Sequence, residues 1–507
     1  MFSNVRSFFK ATAIYGVVGS LRSFVELLLL PVYARCLLPA EFGVLDVVIV
    51  WLAIATLVVI LELHNGAFRF YFDNGSHRYH QRLASTAMFY NIAAALSILA
   101  VVLLLSDSIS RLSFNDSAYG NLFVLAAAFL VFNSLCTMPI NLLRVQNRPR
   151  LYTVISLVQV SVNVLAILYL VAIRRMGIEG VILARLLATL PTIVVSLFIQ
   201  RRYLRPQAVD FRLLARLARY SAPLIPAGAA LWGINALNRV FLLKHCSLDD
   251  IGLFALAVKF TALITLGVIA FQLAWPQFAF ANMNNPRAGR TFARIFSYCL
   301  AGATWMVLFL ALFGEQLLRI QATPLYYPAA GLMLPLALGT MFYGAFYMFT
   351  TGMNISKKTA MILIPIAVAV SVNVILNVLL TPTYGVTAVA WITTATYLTM
   401  ASVMLLLAQR QYYIPFEWTK LMRLAFAAAG VVGLAAYIPA GGIAVGWSLR
   451  VALFLGFPLA LSMIGFFDGT ERRAIARKLV MKKTPEPDRP DLLDETDREV
   501  INADCNS

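Results

Sequence analysis

The chain is short of charge. Charged residues fill 13% of its 507 positions, about half of the roughly 25% that a soluble domain carries. With 61% hydrophobic residues and a mean hydropathy of +0.80, too little polar surface remains to face water, which excludes a soluble enzyme and a disordered scaffold alike. The five cysteines (Cys36, Cys136, Cys246, Cys299, Cys505) are scattered without a C-x-x-C pair, so neither a zinc site nor a disulfide framework is expected. The histidines, His64, His77, His80 and His245, lack metal-ligand spacing. P-loop, H-E-x-x-H and G-x-S-x-G motifs are missing too, so the sequence predicts no cofactor, no metal and no enzyme chemistry. What remains is an integral membrane protein.

A membrane span needs about 20 mostly apolar residues. That window predicts an all-α chain with fourteen transmembrane helices over 11–34, 44–64, 83–105, 119–143, 151–173, 178–199, 221–243, 251–280, 293–313, 329–352, 360–380, 385–409, 420–439 and 444–467. The N-terminus has no signal-peptide layout, and 11–34 reads as a retained first helix. Residues 468–507 form a charged tail too poor in apolar residues to build a core, and disorder is expected there. Lys and Arg are distributed very unevenly: thirty fall in the tail and one set of connections, seven on the other side. The positive-inside rule then places both termini in the cytoplasm. It also accounts for the net charge of +18 without a nucleic-acid partner.

The sequence repeats itself at an offset of 208 to 210 residues. Glu41-Phe42-Gly43-Val44-Leu45 aligns with Asp250-Ile251-Gly252-Leu253-Phe254, and Ser161-Val162-Asn163-Val164 recurs as Ser371-Val372-Asn373-Val374. Gly177-Ile178-Glu179-Gly180-Val181 matches Gly385-Val386-Thr387-Ala388-Val389, and Cys36 falls on Cys246, a pair that could form a gating disulfide. Two six-helix lobes follow, 1–200 and 201–410, related as parallel repeats about an axis along the membrane normal. Two additional helices occupy 411–467.

Four cations fall inside the spans: Arg22, Arg185, Arg239 and Lys259. Each charge near the bilayer centre costs about 2.5–3.5 kcal/mol on insertion scales, so a wet cavity or a partner is expected around them. Arg22 and Glu26 are four apart, on one helical face, and fit either a structural pair or a substrate or coupling contact. Glu26, Asp46 and Glu62 are the candidate ion-coupling carboxylates. Gly228, Trp232, Asn235 and Arg239 make a comparable polar stripe, Asn163 and Asn373 read as interhelical hydrogen-bonding residues, and Pro223, Pro226 and Pro276 are expected to kink their helices.

Several segments carry a family resemblance. Leu28-Leu29-Leu30-Pro31-Val32-Tyr33-Ala34-Arg35, followed by Leu38-Pro39-Ala40-Glu41-Phe42-Gly43, resembles the opening signature of the polysaccharide transporter family, the Wzx-like flippases of the MOP superfamily. Gly66 to Tyr71, Ala274 to Phe278, and Tyr326 with Pro335–Gly339 through Lys357-Lys358-Thr359 are similar to later motifs of that family. The resemblance implies two lobes rocking around a central cavity in a bacterial inner membrane. Its cargo would be a polyprenyl-pyrophosphate-linked oligosaccharide, moved from the inner to the outer leaflet for surface polysaccharide synthesis. Membrane lipids are the implied surroundings, and glycan polymerases or glycosyltransferases the implied partners.

On that reading Arg22, Arg239, Lys259 and Arg185 line a cationic cavity for the pyrophosphate, with Arg69 at its cytoplasmic mouth; Arg pairs with phosphate through a two-pronged donor fork. A MATE-like cation-coupled exporter is the alternative, although its cavity should be dominated by acids. A membrane glycan polymerase or ligase is a further alternative, disfavoured by the lack of a large periplasmic loop.

Overall fold

The computed structural model describes residues 24–467 apart from breaks at 62, 72, 147, 223–224, 284, 287, 357 and 438–442. Arg22, Glu62 and the 468–507 tail lie outside the described residues. Every described element is a helix. That outcome follows from the apolar composition, because in lipid each backbone N–H and C=O must find its partner within the segment or in a closed barrel.

The first described turns, 24–28, run into α1 (Leu30–Cys36); α2 (Pro39–Ile60) and α3 (Leu63–Phe70) follow. Next come α4 (His77–Phe114), α5 (Gly120–Val145), α6 (Pro149–Ile167, prolonged by a π-turn over Leu168–Ile173) and α7 (Gly177–Gln200). A short helix, α8 (Phe211–Ser221), leads into the second half: α9 (Ile225–His245), α10 (Leu248–Phe260), α11 (Ala262–Asn282), α12 (Ala288–Gln321), α13 (Ala330–Ile355) and α14 (Leu363–Gln411). Two more, α15 (Trp418–Ala436) and α16 (Ile443–Met463), close the described chain.

Among the described residues, ten helices are long and apolar enough to cross a membrane, and α10 with the first part of α11, bent by 46°, passes the same test as a pair. The 49-residue α14 holds two of the expected spans, folded about Gly385 at φ 57° and ψ −140°. Helix α9 has the length, 21 residues, but Asn235, Asn238 and Arg239 dilute its apolarity. The bend in the 251–280 span falls at Thr261, and α11 runs on through Pro276. Pro226 occupies the first turn of α9, where a missing N–H costs nothing; Pro223 lies outside the described residues.

The repeat is visible in the backbone. Gly177 and Gly385, aligned in sequence, both start a helix in the left-handed region at φ 59° and 57°, which a side chain would resist. Glu41 accepts a hydrogen bond from the Leu38 N–H at 2.8 Å, and its counterpart Asp250 accepts one from the Ser247 N–H at 3.1 Å, so equivalent carboxylates cap α2 and α10. Gly43 and Gly252 lie where these two helices cross. A Cβ on Gly43 would fall on the Leu248 carbonyl oxygen, and one on Gly252 on the Pro39 carbonyl oxygen.

That crossing joins the two halves. Among the described residues, extended contact between first-half and second-half helices runs from α1 and α2 to α9, α10 and α12, and from α3 and α4 to α8. It is concentrated at the cation-poor end of the molecule, where Leu30, Ala34, Phe42, Val44, Phe254 and Tyr326 share one buried core. Tyr326 is fully buried there and donates to the Leu37 carbonyl at 3.1 Å. Arg35 donates to the Ile320 carbonyl at 2.6 Å. Cys36 and Cys246, at the same end, are free thiols, and burial with nearby Asp250 pushes the Cys246 thiol up to about 11, keeping it protonated and unreactive. At the opposite end α8 buries Leu213 and Leu217 against Leu63, Ala67 and Leu83 of the first half. Helices α15 and α16 lean on α12, with Trp305 donating to the Phe454 carbonyl at 3.0 Å.

Candidate functional site

Two ion pairs tie the halves together below the crossing. Lys259, on the last turn of α10, places its Nζ 2.8 Å from Glu26 Oε2, and Arg185 of α7 places Nη2 3.8 Å from Glu26 Oε1. Lys259 lies eleven positions past Leu248, the start of α10, which puts it about 17 Å from the cation-poor end at 1.5 Å per residue. The cluster therefore sits near mid-membrane. Its side chains are partly open: relative exposure is 31% for Lys259, 29% for Glu26 and 17% for Arg185. Glu26 bridges three segments; Arg22, the local partner that spacing suggests, lies outside the described residues.

The second pair is closed. Arg239 Nε lies 2.8 Å from Asp46 Oδ2, with side-chain exposures of 7% and 15%. Its guanidinium also stands 5.0 Å from the Phe254 ring centre and donates to the Asn235 carbonyl at 3.4 Å. Arg69 is remote from both pairs: it is paired with Asp73 at 2.7 Å near the cation-rich end and is 60% exposed. The sequence-predicted set thus divides into an open cluster (Glu26, Lys259, Arg185), a buried pair (Arg239, Asp46) and an isolated surface pair (Arg69, Asp73). Glu62 falls in one of the breaks.

Neutral polar residues complete the surroundings. Asn373 donates to Asn238 Oδ1 and Thr396 Oγ1, both at 3.0 Å; Asn377 donates to the Asn373 carbonyl at 2.9 Å; Asn238 donates to Thr393 at 2.9 Å. This network knits α9 to the two arms of α14, as expected of Asn373, and its members are buried. Its repeat counterpart differs. Asn163 borders a small cavity of about 50 Å³ with Gln159, Glu26 and Arg185, and its buried Oδ1 has no partner among the described residues. A larger cavity, about 280 Å³, lies in the second half and is lined by Asn235, Thr261, Thr265, Thr340, Tyr343 and Tyr397, with Phe254 and Val258 among its apolar walls. The sequence reading missed these hydroxyls. They sit singly in apolar runs, and only their convergence in space marks them. No cluster of His, Cys, Asp or Glu suited to a metal exists among the described residues.

The profile of a family described as "Polysaccharide biosynthesis protein" matches residues 8–279, more than half of the chain. The chain belongs to this family. The match covers the opening signature, both carboxylates of the two interhalf pairs, Arg185, Arg239 and Lys259. No curated protein matches it in sequence. Among solved structures it is similar to "Lipid II flippase MurJ, inward closed conformation", with a TM-score of 0.70 at 12% identity, over 92% of this chain and 100% of that one. It is also similar to an "Inward-facing conformation of a multidrug resistance MATE family transporter of the MOP superfamily", with a TM-score of 0.63 at 15% identity, over 77% of this chain and 94% of that one. A third, "Structure of MATE multidrug transporter DinF-BH in complex with R6G", has a TM-score of 0.53 at 15% identity, over 80% of this chain and 94% of that one. At these identities the likeness concerns the fold alone, which this chain shares with those structures.

Proposed function

We propose that the protein is an alternating-access flippase that carries a polyprenyl-pyrophosphate-linked oligosaccharide across the bacterial inner membrane for surface polysaccharide synthesis. One observation carries the reading: at mid-membrane, Lys259 and Arg185 converge on a single carboxylate, Glu26, in a partly open cluster. Two cations held around one anionic group are preorganised for a polyanion, and a pyrophosphate offers more charge and more acceptor oxygens than Glu26. Membership of a polysaccharide biosynthesis family supplies the cargo class.

In this account the cation-rich end faces the cytoplasm. The lobes are 1–200 and 201–410, with 411–467 as an outer buttress, a division supported by described interhalf contact that is concentrated between α1 and α2 and α9, α10 and α12, with a smaller contact of α8 on α3 and α4. Substrate enters between the lobes, its lipid tail staying in the bilayer, and its pyrophosphate displaces Glu26 from Lys259 and Arg185. That loss unties one of the two interlobe pairs, and the Gly43–Gly252 crossing then separates to release the headgroup on the other face. Arg69 serves as an entry cation, and Arg22, four positions before Glu26 in the sequence, is assigned to the same headgroup. Protonating Glu26 would untie the same contacts, and protonating Asp46 the other interlobe pair, which makes both candidates for ion coupling. The membrane potential is a second drive, worth about 2.3 kcal/mol per elementary charge at 100 mV.

The test is deletion of the gene, followed by extraction of lipid-linked glycans. Lipid-linked repeat units accumulating on the cytoplasmic side while surface glycan disappears is the expected result. Intact surface glycan with new sensitivity to cationic dyes would replace this reading with the multidrug exporter.

A further inference from the structure

We infer that the 280 Å³ cavity of the second half is a binding subsite for a neutral sugar ring of the transported glycan, recognised through hydroxyl acceptors and aromatic walls. This rests on the flippase reading and adds to it a place where the glycan itself is read. The volume is near the lower end of the roughly 300–1,000 Å³ typical of small-molecule pockets, room for a monosaccharide ring and too little for a whole repeat unit.

The hydrogen-bond inventory sets the ligand class. Thr340 donates its proton to the Leu336 carbonyl at 2.9 Å, Thr261 to the Val258 carbonyl at 2.7 Å, and Thr265 to the Thr261 carbonyl at 3.2 Å. Their donors are spent on their own helices, and each oxygen retains acceptor capacity. The Tyr397 hydroxyl accepts from Asn235 Nδ2 at 3.4 Å, and the Tyr343 hydroxyl shares a 2.9 Å hydrogen bond with Tyr347. An acceptor-rich lining selects a ligand that brings donors, such as sugar hydroxyls and acetamido N–H groups. The donors it retains are few, the Tyr397 O–H and the second N–H of Asn235, so it gives less to a carboxylate or phosphate, which can only accept. The rings of Tyr343, Tyr397 and Phe254 supply flat apolar walls of the kind the C–H faces of a pyranose pack against.

An organic cation would also suit acceptors and aromatic faces, but the local field opposes it. Among the described residues no carboxylate lines the cavity, and Arg239 lies against two lining residues, Asn235 and Phe254. Reach supports the assignment. Val258 and Thr261 flank Lys259 along the chain, so the cavity lies around the same helix end from the ammonium that holds Glu26. A glycan whose pyrophosphate rests on Lys259 has its following sugars beside this opening, where Asn235, Thr265, Thr340 and Tyr343 are half-buried rather than sealed.

The experiment uses the full-length protein in lipid nanodiscs and two defined probes, farnesyl pyrophosphate and farnesyl-pyrophosphoryl-di-N-acetylchitobiose. Thr340→Val and Thr265→Val, near-isosteric changes that delete one acceptor each, should weaken the sugar-bearing probe about three- to tenfold apiece and leave farnesyl pyrophosphate unchanged. Lys259→Gln should weaken both probes. Wild-type affinity of both valine variants for the disaccharide probe would overturn the subsite while leaving the flippase reading standing, and so would equal loss for both probes. Tetraphenylphosphonium binding that is weakened by the same two changes would reassign the cavity to organic cations. Failure of the wild-type protein to bind either pyrophosphate probe would overturn the flippase reading, and the subsite with it.

Discussion

The two ion pairs that join the halves differ in how water reaches them. Arg239 and Asp46 are nearly sealed, at 7% and 15% exposure, whereas Lys259 and Glu26 stand at 31% and 29%. A sealed pair is costly to break, because removing one partner strands the other charge away from water. An open pair exchanges partners at little cost, since solvent and neighbouring charges offset most of its Coulomb energy. The same pairing chemistry thus serves as a clamp at one depth and as an exchangeable anion site at another. Among acids and cations of similar sequence character, burial separates the two roles.

That contrast can be broken or sharpened by substitution, and the largest effect is expected at the clamp. Asp46→Ala leaves Arg239 buried and unpaired and should cost about 3–5 kcal/mol, read as a lowered melting temperature of the purified protein; the exchange Asp46→Arg with Arg239→Asp should recover part of the loss. Next come the repeat-equivalent asparagines. Asn373→Ala strips Asn238 and Thr396 of a donor and should cost about 1–2 kcal/mol, whereas Asn163→Ala, whose Oδ1 has no partner among the described residues, should leave the melting temperature near wild type. Lys259→Ala is expected to cost at most about 1 kcal/mol of stability while abolishing glycan export, a separation of fold from function that the clamp residues should not show. Arg69→Ala should change stability least, by well under 1 kcal/mol for so exposed a pair, and should lower export without stopping it.

Much of the architecture was legible before any coordinates. The apolar windows located the helices, and the 208–210 offset anticipated equivalent helix starts at Gly177 and Gly385 and equivalent crossing positions at Gly43 and Gly252, since a repeated fold needs the same backbone exceptions in both copies. The partners of the charges were not legible. The spacing of Arg22 and Glu26 suggests a local contact, yet Lys259 is 233 positions from Glu26, and helical periodicity carries no information about which distant helix comes alongside. The bend at Thr261 was missed for a related reason: proline marks a lost donor in the sequence, whereas a break between two packed helices is decided by their neighbours. The hydroxyl-lined cavity was also invisible, because a threonine bonded to its own helix carbonyl reads as filler until several of them converge.

The central claim is that the open cluster holds the anionic headgroup. Its most direct test is complementation of the deletion strain with Lys259→Ala, measuring protein level, melting temperature and lipid-linked glycans together. The account predicts a normally produced, normally stable protein with repeat units trapped on their carrier lipid. Wild-type surface glycan with no trapped intermediate would contradict it.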